Sequence, residues 1–374
     1  MIENKADVII VGGGVMGTST AFFLRQRGLS VILLERDLLG QAASNASFGN
    51  VRRQGRFLPQ LALAHRSRAL WGELNTLLGA DVEFMPSGHI RVAFDEIQAA
   101  KAEQYARDAA PYGLDLELMR GNAMRDRFPF LSPKALMASY SPTDGHANPR
   151  LTSPAFGHAA RRDGARIVEN AEVLGITRDG EGFVVETKGS GSFRAPMVQV
   201  SAGAWGRALS AAMGEDVPLE AASPQMGVTE PMPYRIEPVM GVATDRIEDV
   251  MYARQVKRGN IVFGGGRRGA ADLVTKRATL DPMSTLRQMS HLSGLLPPAA
   301  KLRIIRTWGG VEGYLRDDLP VMGTSGKVPG LFYAFGFSGH GFQLAPGVGA
   351  TMAELMATGS PGVPIEPFSI KRFL

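Results

Sequence analysis

Three glycines and one acidic residue near the start of the chain have the spacing most typical of a chemical function. Gly12, Gly14 and Gly17 follow the apolar run at 8–11, and Glu35 ends a second apolar run. Gly12 permits a tight turn, Gly14 lets the backbone approach a pyrophosphate, and Gly17 lets a helix pack closely on a sheet. Free N–H groups at the start of that helix bind phosphate, and the Glu35 carboxylate can accept hydrogen bonds from a ribose. The pattern therefore predicts a site for an adenine dinucleotide, either FAD or NAD(P).

A second glycine-rich junction lies close to the end of the sequence. The apolar run Leu331–Phe335 leads into residues 336–341, which contain three glycines. This arrangement places another helix N-terminus in the same domain, although an ordinary strand–helix turn would have a similar local sequence. Reduction makes one edge of a flavin anionic, and the N–H groups of a helix end stabilise developing negative charge. Nicotinamide has no such requirement, so the second junction favours a flavin.

The elements that must position these residues follow from periodicity and from turn and cap signals. Helices are predicted over 18–27, 58–78, 95–112, 149–162 and from 341 to about 356. Strands are predicted over 88–94, 166–176 paired with 182–187, 197–203, 260–263 and 331–335. No linker divides the chain cleanly, so the domains are expected to be interleaved.

The composition limits the functional classes. The 374 residues carry a net charge of +5, and arginine pairs occur without any long basic run, so no nucleic-acid partner is expected. The absence of cysteine excludes disulfides, thiolate metal sites and an iron–sulfur cluster held by this chain. The histidines lack metal-ligand spacing, so no metal site is predicted. No signal or transmembrane segment is visible, and a cytoplasmic location is expected.

Four motifs occur in the order of a known family. They are residues 12–17 (GGGVMG), 201–205 (SAGAW), 308–320 (WGGVEGYLRDDLP) and 336–342 (GFSGHGF). Together they resemble the D-amino acid oxidase superfamily of FAD-dependent amine oxidoreductases over nearly the whole chain. Residues 46–56 and 261–268 also resemble the flavin-bearing β subunits of opine oxidases, hydroxyproline dehydrogenases and hydrogen cyanide synthase, which are relatives of sarcosine and glycine oxidases.

The resemblance implies an α/β fold with a Rossmann-type FAD-binding domain and an interleaved, largely antiparallel α+β substrate domain. Residues 1–80, 141–224 and 306–374 are assigned to the FAD-binding domain, and residues 81–140 and 225–305 to the substrate-binding domain.

The resemblance also implies FAD as the cofactor and assigns residues to it. Noncovalent binding is expected because Gly310 replaces the flavin-linking cysteine of sarcosine oxidases, and no histidine lies between residues 41 and 55. The residues expected to bind FAD are Gly12, Gly14, Val15, Met16, Gly17, Glu35, Arg36, Ser44, Val173, Ala202, Gly203, Trp205, Gly310, Gly336, Gly339, His340, Gly341, Phe342 and Gln343.

The implied reaction is oxidation of a carbon–nitrogen bond in an amino acid or secondary amine to an imine, by hydride transfer to flavin N5. This chemistry depends mainly on positioning, and a planar arginine fork suits the substrate carboxylate. Arg52 is the predicted clamp, with Arg53 and Arg56 as alternatives. Tyr252 and Tyr314 are further substrate-site candidates. His340 is a catalytic candidate that contacts the flavin through its backbone N–H, its side chain or both, and contact through the backbone alone is favoured.

Two departures from the relatives bear on substrate and acceptor. Glu312 stands where glycine oxidases have a carboxylate-binding arginine, so it either meets a cationic part of the substrate or forms a structural ion pair. Gly266, next to Arg267, stands at the place of an oxygen-activating lysine, which favours a dehydrogenase with a partner redox subunit or electron carrier. The alternatives are an NAD(P)-dependent oxidoreductase and a catalytically inert flavin-binding subunit.

Overall fold

A computed structural model describes residues 4–374, which form nine α-helices and 23 β-strands. The helices are α1 (Val15–Gln26), α2 (Ala43–Ala46), α3 (Leu61–Leu78), α4 (Glu96–Ala109), α5 (Gly121–Arg127), α6 (Pro149–Arg162), α7 (Gly206–Ala212), α8 (Pro282–Leu295) and α9 (Gly341–Thr358). The first strands are β1 (Val8–Val11), β2 (Val31–Leu34), β3 (Asn50–Val51), β4 (His89–Ala93), β5 (Glu117–Arg120), β6 (Met137–Ser141), β7 (Gly145–His146), β8 (Arg166–Val168), β9 (Val173–Asp179), β10 (Gly182–Thr187), β11 (Gly191–Ala195) and β12 (Met197–Val200). The remaining strands are β13 (Glu220–Ser223), β14 (Gln225–Pro231), β15 (Val239–Val242), β16 (Tyr252–Gln255), β17 (Asn260–Gly264), β18 (Gly269–Asp272), β19 (Arg277–Ala278), β20 (Ile304–Gly309), β21 (Glu312–Tyr314), β22 (Val321–Thr324) and β23 (Leu331–Phe335).

A six-stranded sheet in the order β22-β23-β12-β1-β2-β8 forms the centre of the nucleotide-binding part. Its strands are parallel except β22, which pairs antiparallel with β23. Both β1 and β2 consist of fully buried apolar residues, as expected for strands covered on two faces. Helices α1, α6, α3 and α9 cover one of these faces. Gly349 permits α9 to approach α1 closely, because a Cβ at this position would lie 2.6 Å from the backbone carbonyl carbon of Ser19 in α1.

An eight-stranded sheet in the order β20-β14-β17-β16-β15-β4-β6-β5 lies on the other side of the cavity described below. It is antiparallel except for the β15–β4 pair. Its core contains Phe263, Met240 and Ile90, against which Leu292 and Leu295 of α8 pack. Smaller sheets are formed by β11-β10-β9, by β19-β18-β13-β21 and by β3-β7.

The predicted fold class is confirmed, and several predicted element limits need correction. The predicted strand 166–176 is wrong: β8 joins the parallel sheet, and only β9 pairs with β10. The chain turns between them because the Ala171 N–H donates to the Glu35 carbonyl oxygen, and Asn170 has a φ of 58°. Residues 58–60 and 110–112 form 3₁₀ turns instead of α-helix, and each turn contains a proline, which lacks the N–H that an α-helix needs.

The predicted domain limits stay a prediction. Strand β20, which belongs to the eight-stranded sheet, spans the predicted limit at 305–306. Within residues 4–374, no helix has the length and apolar character needed to cross a lipid bilayer.

Candidate active site

A cavity of about 850 Å³ runs from the carboxyl ends of the parallel strands to the eight-stranded sheet. Gly12, Glu35 and Ser201, which follow β1, β2 and β12, line its first part. Arg91, Gly241 and Tyr252, on three adjacent strands of the large sheet, line its far part. The carboxyl edge of a parallel α/β sheet is the usual place for a bound nucleotide, so the two ends suit a cofactor and a substrate.

The first glycine-rich turn is closely packed. Gly12 has a φ of 108°, and a Cβ there would lie 2.6 Å from the Ser201 carbonyl oxygen. A Cβ on Gly17 would lie 1.9 Å from the Gly12 carbonyl oxygen, so Gly17 permits the helix to start against the turn. Gly17 does not itself line the cavity, whereas all the other predicted FAD-binding residues do.

Glu35 fixes this turn and lines the cavity. One carboxylate oxygen accepts from the Gly13 N–H at 2.6 Å and the other from the Asp37 N–H at 2.8 Å. Burial raises the pKa of Glu35, while these two backbone bonds oppose that shift. The remaining acceptor positions of the carboxylate suit hydroxyl donors such as those of a ribose.

We expect Glu35→Ala to weaken FAD binding about 10- to 100-fold, since it removes charge-assisted hydrogen bonds worth about 1.5–3 kcal/mol. Titration of the flavin-free protein with FAD measures the effect. Glu181→Ala, at the exposed β9–β10 turn, is the control. An unchanged affinity in Glu35→Ala would remove Glu35 from the cofactor site.

Ser44 and Trp205 complete the nucleotide end. The Val15 N–H at the start of α1 donates to Ser44 Oγ at 2.9 Å, and Gly14 supplies no side-chain cap. The Arg36 guanidinium lies 4.1 Å from the centre of the Trp205 ring. A polar helix start beside a stacked aromatic–cation pair suits a phosphate and the group attached to it.

The start of α9 forms the second helix end predicted at the cavity. No side chain caps α9, and its first residues Gly341–Gln343 line the cavity. A Cβ on Gly341 would lie 2.9 Å from Met16 Cε, so the helix start approaches α1 closely. Gln343 Nε2 donates to the Ala64 carbonyl oxygen at 2.9 Å, whereas its Oε1 is buried without a partner. An uncapped helix end and an unpartnered amide oxygen fit a polar heterocycle such as a flavin.

The backbone N–H of His340, the favoured contact with the flavin, already has a partner in the fold. That N–H donates to the Phe337 carbonyl oxygen at 2.8 Å, so it is occupied within the turn. His340 lines the cavity, and its imidazole Nδ1 lies 3.3 Å from Arg52 Nη2. Burial lowers the pKa of His340 well below 6.5, and Arg52 and Arg56 lower it further. The ring is therefore neutral, Nδ1 accepts from the guanidinium, and the ring proton lies on Nε2.

Arg52 and Arg56 lie at the cavity, and Arg53 does not. Arg53 Nε lies 2.9 Å from an oxygen of the fully buried Asp144, whose other oxygen accepts from the Arg53 N–H. Arg53 is therefore corrected from a substrate candidate to a structural residue. Burial lowers the pKa of Arg52 to about 10 and that of Arg56 to about 9, so both stay charged at neutral pH.

Glu312 is held by neutral donors. Its two oxygens accept from the Gly339 N–H and the Tyr314 hydroxyl, both at 2.8 Å. Within residues 4–374 no salt bridge forms to Glu312. These residues therefore do not provide the structural ion pair that is one of the two expectations for Glu312. Burial raises the pKa of Glu312 above its ordinary value of 4.5, and nearby Arg268 opposes that shift. The Arg268 guanidinium itself lies 3.6 Å from the centre of the Tyr314 ring.

Sequence reasoning missed Arg91 and Arg268 as individual cavity residues. Arg91 lines the cavity from β4, and the segment 88–94 contains a signal for it, since the polar residues His89 and Arg91 alternate with the apolar residues Ile90 and Val92. Arg268 is the last residue of the segment 261–268, in which only Gly266 and Arg267 are given a predicted role. Arg267 pairs with Glu248 at 2.5 Å and does not line the cavity, so the cavity cation of this loop is Arg268. Over the described residues, no group of three metal-binding side chains is present.

The fold and cavity define a dinucleotide-binding oxidoreductase of the α/β class. The family model "DAO: FAD dependent oxidoreductase" matches residues 7–355. The chain belongs to this DAO family, which confirms the resemblance and makes FAD the cofactor rather than NAD(P).

Several known relatives match over nearly their full length. Glycine oxidase of Geobacillus kaustophilus is 28% identical, with 100% of this chain and 98% of the relative covered. One of the subunits of opine oxidase from Rhizobium meliloti is 27% identical over 99% of this chain and 98% of its own. The solved structure of L-proline dehydrogenase from P. horikoshii superposes with a TM-score of 0.92 at 25% identity, covering 100% of this chain and 98% of that chain.

We expect FAD to be held without a covalent bond. A Cβ on Gly310 would lie 2.6 Å from Ala46 Cβ, so this position has no room for a linking side chain. The chain also contains no cysteine. After acid precipitation the flavin should stay in the supernatant, and a yellow pellet would contradict the prediction.

Proposed function

We propose that the protein oxidises the carbon–nitrogen bond of an amino acid or of a secondary amine that bears a carboxylate. The observation that supports this most directly is that Arg52 and Glu312 both line the cavity, beside the start of α9. A guanidinium recognises a carboxylate, and a carboxylate recognises an ammonium group. The names of the relatives, among them glycine oxidase and opine oxidase, are consistent with this substrate class.

The residues of this chain have separate tasks in the proposed reaction. Arg52, held by neutral His340, binds the substrate carboxylate and fixes the α-carbon. Ionised Glu312 takes a proton from the substrate ammonium, which frees the nitrogen lone pair. FAD, which the two glycine-rich turns and Glu35 would hold, would supply the two-electron acceptor for the α-hydrogen and its bonding electron pair. The nitrogen lone pair then forms the carbon–nitrogen double bond, and water hydrolyses the imine.

Anaerobic mixing with candidate amines tests the proposal. Glycine, sarcosine, proline and iminodiacetate each present a carboxylate next to an amine, and at least one should bleach the flavin absorbance. The decarboxylated amine of the best substrate is the matched control and should react more slowly. If no amine reduces the flavin, the proposal fails, and the alternative of a catalytically inert flavin-binding subunit is supported.

We further propose that the electrons pass to a partner subunit or carrier rather than to oxygen. Gly266 lines the cavity without a charge that could stabilise developing superoxide, Arg267 pairs with Glu248, and the cavity cation Arg268 stacks on the Tyr314 ring. Two relatives are named as subunits of larger enzymes, the opine oxidase chain and the beta subunit of sarcosine oxidase from Arthrobacter sp., the latter 26% identical.

We expect the substrate-reduced protein to be reoxidised faster by an artificial dye than by air. Stopped-flow absorbance of the flavin compares the two rates in one preparation. Rapid reoxidation in air with stoichiometric hydrogen peroxide, at the same turnover as with the dye, would make the protein an oxidase and contradict this proposal.

A further inference from the structure

Three guanidiniums meet at the substrate end of the cavity, and we call Arg52, Arg56 and Arg91 the arginine cluster. A Cβ on Gly55 would lie 2.5 Å from Arg91 Nη1 and 3.4 Å from Arg52 Nη1, so these two side chains flank the same backbone position. Arg56 Nε donates to the Arg52 carbonyl oxygen at 2.9 Å. The cluster therefore concentrates three positive charges on one wall.

No carboxylate of the described chain neutralises this cluster. Over residues 4–374, none of its three members takes part in a salt bridge. The acids that act on the cluster from a distance are already engaged, because Asp144 pairs with Arg53 and Asp245 with Lys101. Enclosed and unpaired charge is costly, so the cluster is prepared for an anion from outside the chain.

The members differ in how many donors they have free. All three guanidinium nitrogens of Arg56 donate hydrogen bonds within the fold, to the Arg52 carbonyl oxygen, to Gln60 Oε1 and to the His340 carbonyl oxygen. Arg56 therefore supports the position of its neighbours. Arg52 uses Nη1 and Nη2 and keeps Nε free. The Arg91 guanidinium makes no hydrogen bond to any described residue, yet Arg91 is half-buried and lines the cavity. Burial lowers the pKa of Arg91, which is consistent with an enclosed and unpaired guanidinium.

The eight-stranded sheet places Arg91 at a distance from Tyr252, with Gly241 between them. Arg91 of β4 is in register with Gly241 of β15, which is in register with Tyr252 of β16. Opposed residues of paired strands point to the same face, so all three border the cavity. Two strand spacings, about 10 Å, separate Arg91 from Tyr252, and Gly241 leaves the space between them open. A ligand can therefore extend across Gly241 to reach Arg91.

We propose that the substrate carries two carboxylates, the one next to the amine bound by Arg52 and the second bound by Arg91. This inference rests on the proposed function, from which it takes the amine and the first carboxylate. Within residues 4–374 the arginine cluster has three positive charges and no paired carboxylate, whereas Glu312 lies near Arg268. A substrate with one carboxylate leaves the enclosed Arg91 without a counter-ion, whereas a dicarboxylate neutralises it.

Two inert analogues test binding without oxidation. Diglycolate and methoxyacetate replace the amine with an ether oxygen and differ only in the second carboxylate. Isothermal titration calorimetry of the FAD-loaded protein should give diglycolate a dissociation constant at least about 10-fold lower. Arg91→Met, which keeps the length and packing of the side chain, should abolish this difference. Arg91→Lys should keep part of it, and Arg267→Met, outside the cavity, should keep all of it.

Oxidation assays then locate the second carboxylate on the substrate. Iminodiacetate carries it on the nitrogen substituent and is compared with sarcosine, whereas aspartate carries it on the α-carbon and is compared with alanine. The wild-type protein should prefer the dicarboxylate of one pair by about 10- to 100-fold in kcat/KM, and Arg91→Met should lose that preference. The pair that shows the effect identifies the class of dicarboxylic amine.

The outcomes separate the two proposals. If diglycolate binding depends on Arg91 but no amine reduces the flavin, the second anion site stands and the proposed function fails. If amines are oxidised but diglycolate binds no better than methoxyacetate, the inference is overturned and the proposed function stands. If Arg91→Met weakens both analogues equally, Arg52 and Arg91 share a single carboxylate, which also overturns the inference.

Discussion

Arg52→Met is expected to lower kcat/KM for a carboxylate-bearing amine by at least about 30-fold while FAD stays bound. The substitution leaves the substrate carboxylate enclosed without its guanidinium, a loss of about 2–5 kcal/mol for a buried charge pair. The flavin should remain bound because the glycine-rich turns, Glu35 and the start of α9 lie on other elements of the fold.

Stopped-flow flavin reduction in the absence of oxygen measures the effect. Arg52→Lys keeps the charge but loses the planar fork, and should recover part of the rate. A purely structural role would slow all substrates alike, whereas a carboxylate clamp affects the amino acid far more than its decarboxylated amine. Arg267→Met is the control, since Arg267 pairs with Glu248 outside the cavity. Equal rates in wild type and Arg52→Met would remove Arg52 from the substrate site.

The nucleotide half of the fold could be predicted because its signals are local. The strand, turn, helix and acid from Val8 to Glu35 lie within one short segment, and the structure reproduces the steric reasons for Gly12 and Gly17. The same holds for α6, which begins after the predicted cap at Asn148 and ends at Arg162 as expected. Short-range periodicity and caps determine such elements without help from distant residues.

The substrate end could not be predicted in the same way, because strand register determines it. Arg91 borders the cavity only because β4 pairs with β15, whose residues lie about 150 positions later in the chain. Arg53 and Arg56 have similar local surroundings in the sequence, yet Asp144, from a distant segment, engages the first and leaves the second at the cavity. The single segment predicted over 166–176 was divided by backbone bonds to Glu35 and Asp37, which no local pattern reveals.

Glu312→Gln is expected to slow flavin reduction by the ammonium form of the substrate and to change its pH dependence. Burial raises the pKa of Glu312 above 4.5, so its carboxyl stays protonated to a higher pH than an exposed glutamate. A protonated carboxyl neither attracts an ammonium group nor accepts its proton. The wild-type kcat/KM should therefore fall as the pH drops through this raised pKa. A glutamine cannot ionise, so the variant should lack this acidic limb and keep a low rate, about 10- to 1,000-fold below wild type near neutral pH.

The sign of the stability effect separates this role from a structural one. A carboxyl whose pKa is raised in the folded state stabilises the fold while protonated, and this contribution is lost as the pH rises through the folded-state pKa. Glu312→Gln stays neutral and can retain partners at the Gly339 N–H and the Tyr314 hydroxyl, so it should unfold no more readily than wild type at neutral pH. Thermal unfolding of both FAD-loaded proteins checks this point, with the exposed Glu181→Gln as the matched control. A slow variant with undiminished stability and a flat acidic limb would place Glu312 at the substrate nitrogen, whereas an acidic limb that persists in Glu312→Gln would assign the titration to another group.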